Sequence, residues 1–326
     1  MIAFAVRRAA STVVVMFAIS VLVFVIFFAI PGIDPSRQMA GRNPTPETIR
    51  AIKHEFGLDR PLPVQYVLVM KHLLVTRDLQ SYNNRGVEVV PQIIRATPIT
   101  FSLITGAAVI WVVLSVFVGV AAAALRGTFW DPLLMALALI GIAMPVFWLG
   151  QVANLFTQDR WHDTFLFSWV PPLGYTPLTE DPVMWFKHLV IPWFTLAILY
   201  VGLYARVLRS ALVEAESQDF VRTARSKGIS ESRVLTRHTL RVSIITFVSL
   251  FGLDFGALAG GGALLTEVVF GLPGVGRLTY RSLANLDLPV IMATVLYGAF
   301  FIVIANALVD ILYARLDPRT REPVTA

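Results

Sequence analysis

Five stretches of this chain run for at least eighteen residues with no Asp, Glu, Lys or Arg: Ala9–Ile33, Ile99–Leu125, Pro132–Gln158, His188–Ala205 and Leu288–Val309. A sixth, Val242–Thr266, contains one charged residue, Asp254. A hydrocarbon layer about 30 Å thick is crossed by about 20 apolar residues in helical form, so each stretch is long enough to span. Lipid offers the backbone no hydrogen-bond partner, and unbroken runs of this length satisfy themselves as helices. The expectation is an all-α membrane protein of six transmembrane helices with a small helical cap outside the bilayer. With 56% hydrophobic and only 15% charged residues, the chain lies outside the soluble globular range. It has no cysteine, which removes disulfides and thiolate metal sites.

The net charge of +6 is unevenly spread, and its distribution reads as membrane orientation rather than as a nucleic-acid surface. If the N-terminus is cytoplasmic, the inner segments hold fourteen Lys and Arg residues: Arg7, Arg8, Arg126, eight between Arg206 and Arg241, and Arg315, Arg319 and Arg321. The two short outer loops hold four: Arg160, Lys187, Arg277 and Arg281. The other nine lie in the outer segment between Pro31 and Pro98, about the length at which loops translocate regardless of charge. Both termini are therefore expected on the cytoplasmic side. The first apolar run is too long for a signal-peptide core, and Ile30-Pro31-Gly32 follows it in place of a small-x-small cleavage site. It reads as an uncleaved helix.

Three regions follow: 1–33, the first span; 34–98, an extracytoplasmic helical segment; and 99–326, a core of five spans with a basic loop at 206–241. In the outer segment, Thr45-Pro46-Glu47 has the pattern of a helix start, with Gly57 placed at its end. Val64 to Leu74 reads as a second short helix. This cap either shields helix ends or meets a delivery partner at the substrate entrance.

Pro145 falls in the middle of the third span, where a proline removes a backbone bond and kinks the helix. In the fifth span, Gly252, Gly256 and Gly260 recur every four residues on one face, a small surface for close helix contact or for a pathway. Asp254 should face a bundle interior or a wet cavity. It would there bind a cationic group of a substrate or contact a partner subunit. Glu267 follows at the outer end of this span and is carried with Asp254, Gly256 and Gly260 as a pathway candidate. Asp310, near Arg315, reads as interfacial.

No enzyme motif is present. Gly271-Leu272-Pro273-Gly274-Val275-Gly276-Arg277 does not fit a phosphate-binding loop, there is no Gly-x-Ser-x-Gly elbow, and the five histidines lack paired ligand spacing. Energy for uphill transport must come from elsewhere, and no cofactor is implied. The loop is the informative part. Asp219 to Lys227 reads as one short helix with Gly228 at its end, and Ser230 is placed to cap a second helix running from Glu231 toward Leu240. Helices this short are marginal alone and need packing, which favours a docking knob over a solvated basic face.

Asp219-Phe220-Val221-Arg222-Thr223-Ala224-Arg225-Ser226-Lys227-Gly228 resembles the cytoplasmic coupling motif of the membrane permeases of bacterial ABC importers for dipeptides, oligopeptides and nickel. The resemblance extends nearly end to end, through Gly57-Leu58-Asp59-Arg60-Pro61-Leu62-Pro63-Val64-Gln65-Tyr66, the Pro145 segment, Thr266 to Arg277, and Leu308 to Tyr313 with Asp317-Pro318-Arg319. It implies a type I importer permease fold, a second homologous permease, two ATP-binding cassette subunits and an extracytoplasmic solute-binding protein. It also implies ATPase coupling through Asp219, Arg222, Thr223, Ala224, Arg225, Lys227 and Gly228, with ATP bound by the partners. There are departures. Arg222-Thr223-Ala224 stand where the broader importer motif has an acid and two alanines, Thr246 stands where this branch often has proline, and Arg160–Pro182 is unlike the pattern. The alternative is an ion-coupled secondary transporter working through Asp254. Such proteins commonly show internal repeats, and none is evident here.

Overall fold

A computed structural model describes residues 2–29, 36, 40, 45–84 and 86–316. The described elements are almost wholly helical, with one isolated antiparallel bridge, Gln80 to Glu88. They are α1 (Ile2–Phe24), α2 (Pro46–Glu55), α3 (Leu62–Met70), α4 (Val89–Ala124), α5 (Trp130–Ala143), α6 (Val146–Asn154), α7 (Pro182–Ala215), α8 (Asp219–Ser226), α9 (Glu231–Arg233), α10 (Leu240–Ala257), α11 (Leu264–Val269), α12 (Val275–Ala284) and α13 (Leu288–Leu316). Five continuous segments are long and apolar enough to cross a membrane: Arg7–Phe28, Val89–Ala124, Pro182–Ala215, Glu231–Gly262 and Leu288–Leu312. The sixth crossing is a bent pair, Trp130–Ala143 and Val146–Arg160, at 90°. The protein is thus an all-α membrane protein.

Two expectations change in detail. Pro132–Gln158 is not one kinked helix but two. Met144 (ψ 128°) and Pro145 (ψ 129°) are both extended, because the residue before a proline is pushed out of the helical region. The second loop helix is not separate from the fifth span. With no glycine or proline between Glu231 and Val242, it continues through a π turn, Val234–Thr239, into α10. Thr239 and Ser243 hydroxyls donate to the carbonyls of Val234 (3.2 Å) and Thr239 (3.1 Å) across that irregularity. Asp310, read as interfacial, pairs with Arg8 and joins the ends of α1 and α13, while the Arg315 side chain lies outside the described residues.

Between helices in lipid there is little hydrophobic drive, so close approach and polar pairs decide packing. The α4–α7 contact illustrates this. A Cβ on Gly106 would lie 2.0 Å from the Trp193 ring, whose indole N–H donates to the Ser102 carbonyl at 2.9 Å. Trp111 is fully buried and stacks on Tyr200 with centroids 4.6 Å apart. Gly202 brings α7 against the backbone of α5, where a Cβ would meet the Ala138 carbonyl at 2.0 Å. Beyond that contact, Arg209 of α7 grips Asp131 of α5 through two bonds of 2.6 and 2.5 Å.

In the cap, Thr45 caps α2 by accepting from the Thr48 N–H at 3.2 Å, and Gly57 ends it at φ +66°. The second cap helix runs from Leu62 and continues as a π turn to Val75. The His54 ring beside Asp59 holds that carboxyl below its usual range. The cap is locked to the membrane core through Asp287, which accepts from the Ser81 hydroxyl and from the Tyr82 N–H at 3.0 Å. Tyr82 in turn meets Phe28 of the first span edge-on.

Candidate functional site: the interhelical loop and the cavity-lining spans

The loop from 216 to 233 is a folded knob at the far end of α7. Helix α8 buries Val221 and Ala224 against Val234, with Ile229 beside them. Outside the bilayer, enclosing a valine contributes about 1.5–3 kcal/mol, which is what an eight-residue helix needs. Gly228 turns the chain at φ +73°, donating to the Arg225 carbonyl at 2.9 Å, while the Ile229 N–H reaches the Ala224 carbonyl at 3.3 Å. Ser230 occupies the cap position of α9 but its side chain makes no capping bond. Arg225 instead spans the turn, its guanidinium forking onto both oxygens of Glu231 at 2.9 Å. That pair ties Arg225 to the start of α9 while leaving its side chain partly exposed. Asp219, Arg222, Thr223 and Lys227 remain exposed on its outer side, with Arg222 and Asp219 3.7 Å apart.

Asp254 is half-buried on α10 and accepts a 2.6 Å bond from the Tyr204 hydroxyl on α7. Its polar contact is therefore interhelical within the same chain. Gly256 and Gly260 pack on α13. A Cβ on Gly256 would meet that of Ala305 at 2.1 Å, and one on Gly260 would meet the Gly298 carbonyl at 2.7 Å. The fifth span ends at Gly261, whose φ of +107° breaks the helix.

Glu267, fully enclosed, is the centre of a knot between α11, α12 and α4. Thr100 donates to its Oε1 at 2.6 Å and the Arg277 N–H to its Oε2 at 2.9 Å. The Thr100 oxygen also accepts from the Val275 N–H at 2.9 Å. Gly274 lets the backbone close on the carboxylate, since a Cβ there would sit 2.4 Å from Glu267. Burial pushes this carboxyl up to about 7, against the hydroxyl and backbone donors that favour its charged form. The knot fixes Gly271–Arg277, and the Arg277 guanidinium donates to the Gly271 carbonyl. Among the described residues no group of His, Asp and Glu is placed to hold a metal.

Residues 115–322 match the family described as "Binding-protein-dependent transport system inner membrane component", and residues 1–104 match the description "Binding-prot-dependent transport system membrane comp, N-term". The chain belongs to this permease family. It is 36% identical over 321 residues to a peptide transport system permease protein of Brucella abortus, covering 98% of this chain and 99% of that one. A glutathione transport system permease of Salmonella typhimurium is 34% identical over 323 residues, again covering 98% and 99%. A dipeptide transport system permease of Alkalihalophilus pseudofirmus is 30% identical over 343 residues, covering 98% and 100%. The protein is accordingly an inner-membrane permease subunit of an ABC importer.

Several residues that organise this permease carried only faint signals in the sequence. Asp131 sits one residue outside a charge-free run, and Arg209 hides among the loop's basic residues; only the fold pairs them. Tyr200 and Tyr204, four apart in an apolar helix, share one face, which was a legible hint that a polar group lay opposite. An interhelical hydrogen bond in a membrane contributes about 1–2 kcal/mol. Asp254→Leu is therefore expected to lower the melting temperature of the purified permease and to reduce uptake, Tyr204→Phe to do the same, and Asp254→Asn to stay close to wild type. Thermal unfolding and uptake measured on all three check this. Full uptake in Tyr204→Phe beside none in Asp254→Leu would instead place the acid against the solute.

Proposed function

We propose that this permease forms half of a translocation pathway for peptides or related small solutes. In this reading a second homologous permease completes the pathway, two ATP-binding cassette subunits dock on the knob, and an extracytoplasmic solute-binding protein delivers the solute. The permease itself is non-catalytic and holds no cofactor; ATP is bound by its partners. The observation that supports this best is the knob. It is internally packed through Val221, Ala224 and Val234, tied by Arg225 to Glu231, and turned by a positive-φ glycine. Its exposed polar residues are then available to an external surface. A flexible basic loop held only by lipid headgroups would need none of these internal contacts. The peptide class is supported by the named relatives from Brucella and Alkalihalophilus.

In this reading both termini and 206–241 face the cytoplasm, consistent with the excess of basic residues on that side. Because the chain has no cysteine, single introduced ones report without background. Ser232→Cys on the knob should be unreactive to an impermeant maleimide in intact cells and reactive after permeabilisation. Ser168→Cys, exposed in the loop between the third and fourth spans, should react in intact cells. Labelling of Ser232→Cys in intact cells would invert the assignment.

A further inference from the structure

Helix α4 has two unlike sides. Its glycines face α7: a Cβ on Gly119 would lie 3.0 Å from the Ala205 carbonyl, and Gly106 sits against the Trp193 ring. Elsewhere Val112, Val116, Phe117 and Val120 wall an open groove of about 620 Å³, with Thr236 and Leu240 along its other edge. Phe117 is 72% exposed there. The Thr236 hydroxyl donates to the Ser232 carbonyl at 2.7 Å, so the one side-chain hydroxyl at the groove already has its partner. From Val112 to Val120 the wall is about 12 Å long, close to the roughly 15 Å that one leaflet adds to a hydrocarbon layer.

The edge at Thr236 and Leu240 belongs to a row of arginines. Arg233, Arg237 and Arg241 recur every four residues along the continuous helix that begins at Glu231, and Arg237 and Arg241 directly follow the two groove residues. All three are exposed, and among the described residues none has an ion pair. Arg209, Arg222 and Arg225, by contrast, each meet an acid.

We propose that the groove and its arginines form a site for one anionic phospholipid, with an acyl chain in the groove and the phosphate beside Arg237 and Arg241. The site rests on the orientation proposed above only for its leaflet, the cytoplasmic one. Labelling of Ser232→Cys tests that orientation, whereas lipid retained in detergent tests the site itself. A covering helix would call for small residues, because helices in lipid associate through close backbone approach. The α4–α7 and α10–α13 contacts are built that way, at Gly106, Gly119, Gly256 and Gly260. The groove wall is branched and aromatic instead, a surface that suits a flexible alkyl chain. A polar solute would leave its own groups unpaired there. The charge completes the match. Arginine stems lie along apolar surface while their guanidinium heads stay at the interface, where they fork onto phosphate oxygens. Unpaired basic residues at the cytoplasmic face attract anionic headgroups. The bound lipid would lie against the π turn, Val234–Thr239, that joins the knob to α10.

The test separates the chain from the charge. The assembled importer is equilibrated with detergent micelles holding equal amounts of phosphatidylglycerol and phosphatidylethanolamine, and retained lipid is counted by native mass spectrometry. Arg237→Gln combined with Arg241→Gln should retain one phosphatidylglycerol fewer than wild type, its preference for that lipid at the site falling roughly 30-fold. Val113 also lines the groove and is 60% exposed, so Val113→Trp fills the space without disturbing the core. It should release the same lipid with both arginines in place. A benzophenone attached through Phe117→Cys should label phospholipid on irradiation. Wild-type retention of phosphatidylglycerol in either variant overturns the site. So does an equal loss of phosphatidylethanolamine in the double arginine variant, because the proposal requires selection by charge. Crosslinking of Phe117→Cys to the second permease would show that protein covers the groove, and it would overturn the proposal as well.

Discussion

Replacing Gly228 with valine is expected to leave the membrane core folded and to uncouple it from the ATPases. Gly228 holds φ +73°, and no atom lies within 4 Å of where its Cβ would be, so the cost of a side chain is purely conformational. An L-residue in the left-handed region costs about 1–2 kcal/mol, and β-branching raises that. At that cost the population of the native turn falls roughly 5- to 30-fold. The bonds that depend on it are the Gly228 N–H to Arg225 carbonyl contact, the Ile229 N–H to Ala224 carbonyl contact and the Arg225–Glu231 fork. Their loss turns α8 relative to α9 and misplaces Asp219, Arg222, Thr223 and Lys227. Stimulation of ATP turnover by loaded binding protein should drop by about the same factor of 5 to 30. Gly228→Asn, which tolerates this conformation, should retain most of it. Full stimulation in the valine variant would show that the knob is only solvated surface.

The other large effect is expected at Glu267, and it concerns folding. Glu267→Leu leaves the Thr100 hydroxyl and the Arg277 N–H without their acceptor inside a closed knot. Each buried donor left unmet costs about 1–3 kcal/mol, so the loss is roughly 2–6 kcal/mol. The segment Gly271–Arg277 should detach from α4, and the yield of monodisperse permease extracted from membranes should collapse. Glu267→Gln keeps a carbonyl acceptor and should recover much of the yield. Gly274→Ala should resemble the leucine variant, because its new methyl would press on the carboxylate at 2.4 Å. Normal yield of Glu267→Leu would remove Glu267 from this structural role.

The spans were legible because long charge-free runs leave a membrane helix few alternatives. The loop was legible because a glycine at a helix end carries a specific backbone demand, met here at Gly57 and Gly228. What the residues did not disclose is tertiary. A proline in a span signals disruption but not its size, and a 90° break at Pro145 differs in kind from a kink. Asp254 stood out as an isolated acid, yet its partner, Tyr204, lies fifty residues away on another helix. Gly256 and Gly260 read first as packing and second as pathway candidates, and their neighbours on α13 emerge only from the fold. Arg225 shows the limit of reading a motif by its charge. It looks like a docking cation, and it is occupied within the knob by Glu231.

The central claim is that this permease moves solute only as part of an ATP-driven assembly. The most direct measurement is uptake of labelled alanyl-alanine into liposomes holding this permease alone, then with the second permease, then with both permeases, the ATPases and the binding protein. The account predicts uptake only in the complete set, dependent on ATP and abolished when the ATPases are omitted. Uptake by this chain alone, driven by an ion gradient and without ATP, would contradict it.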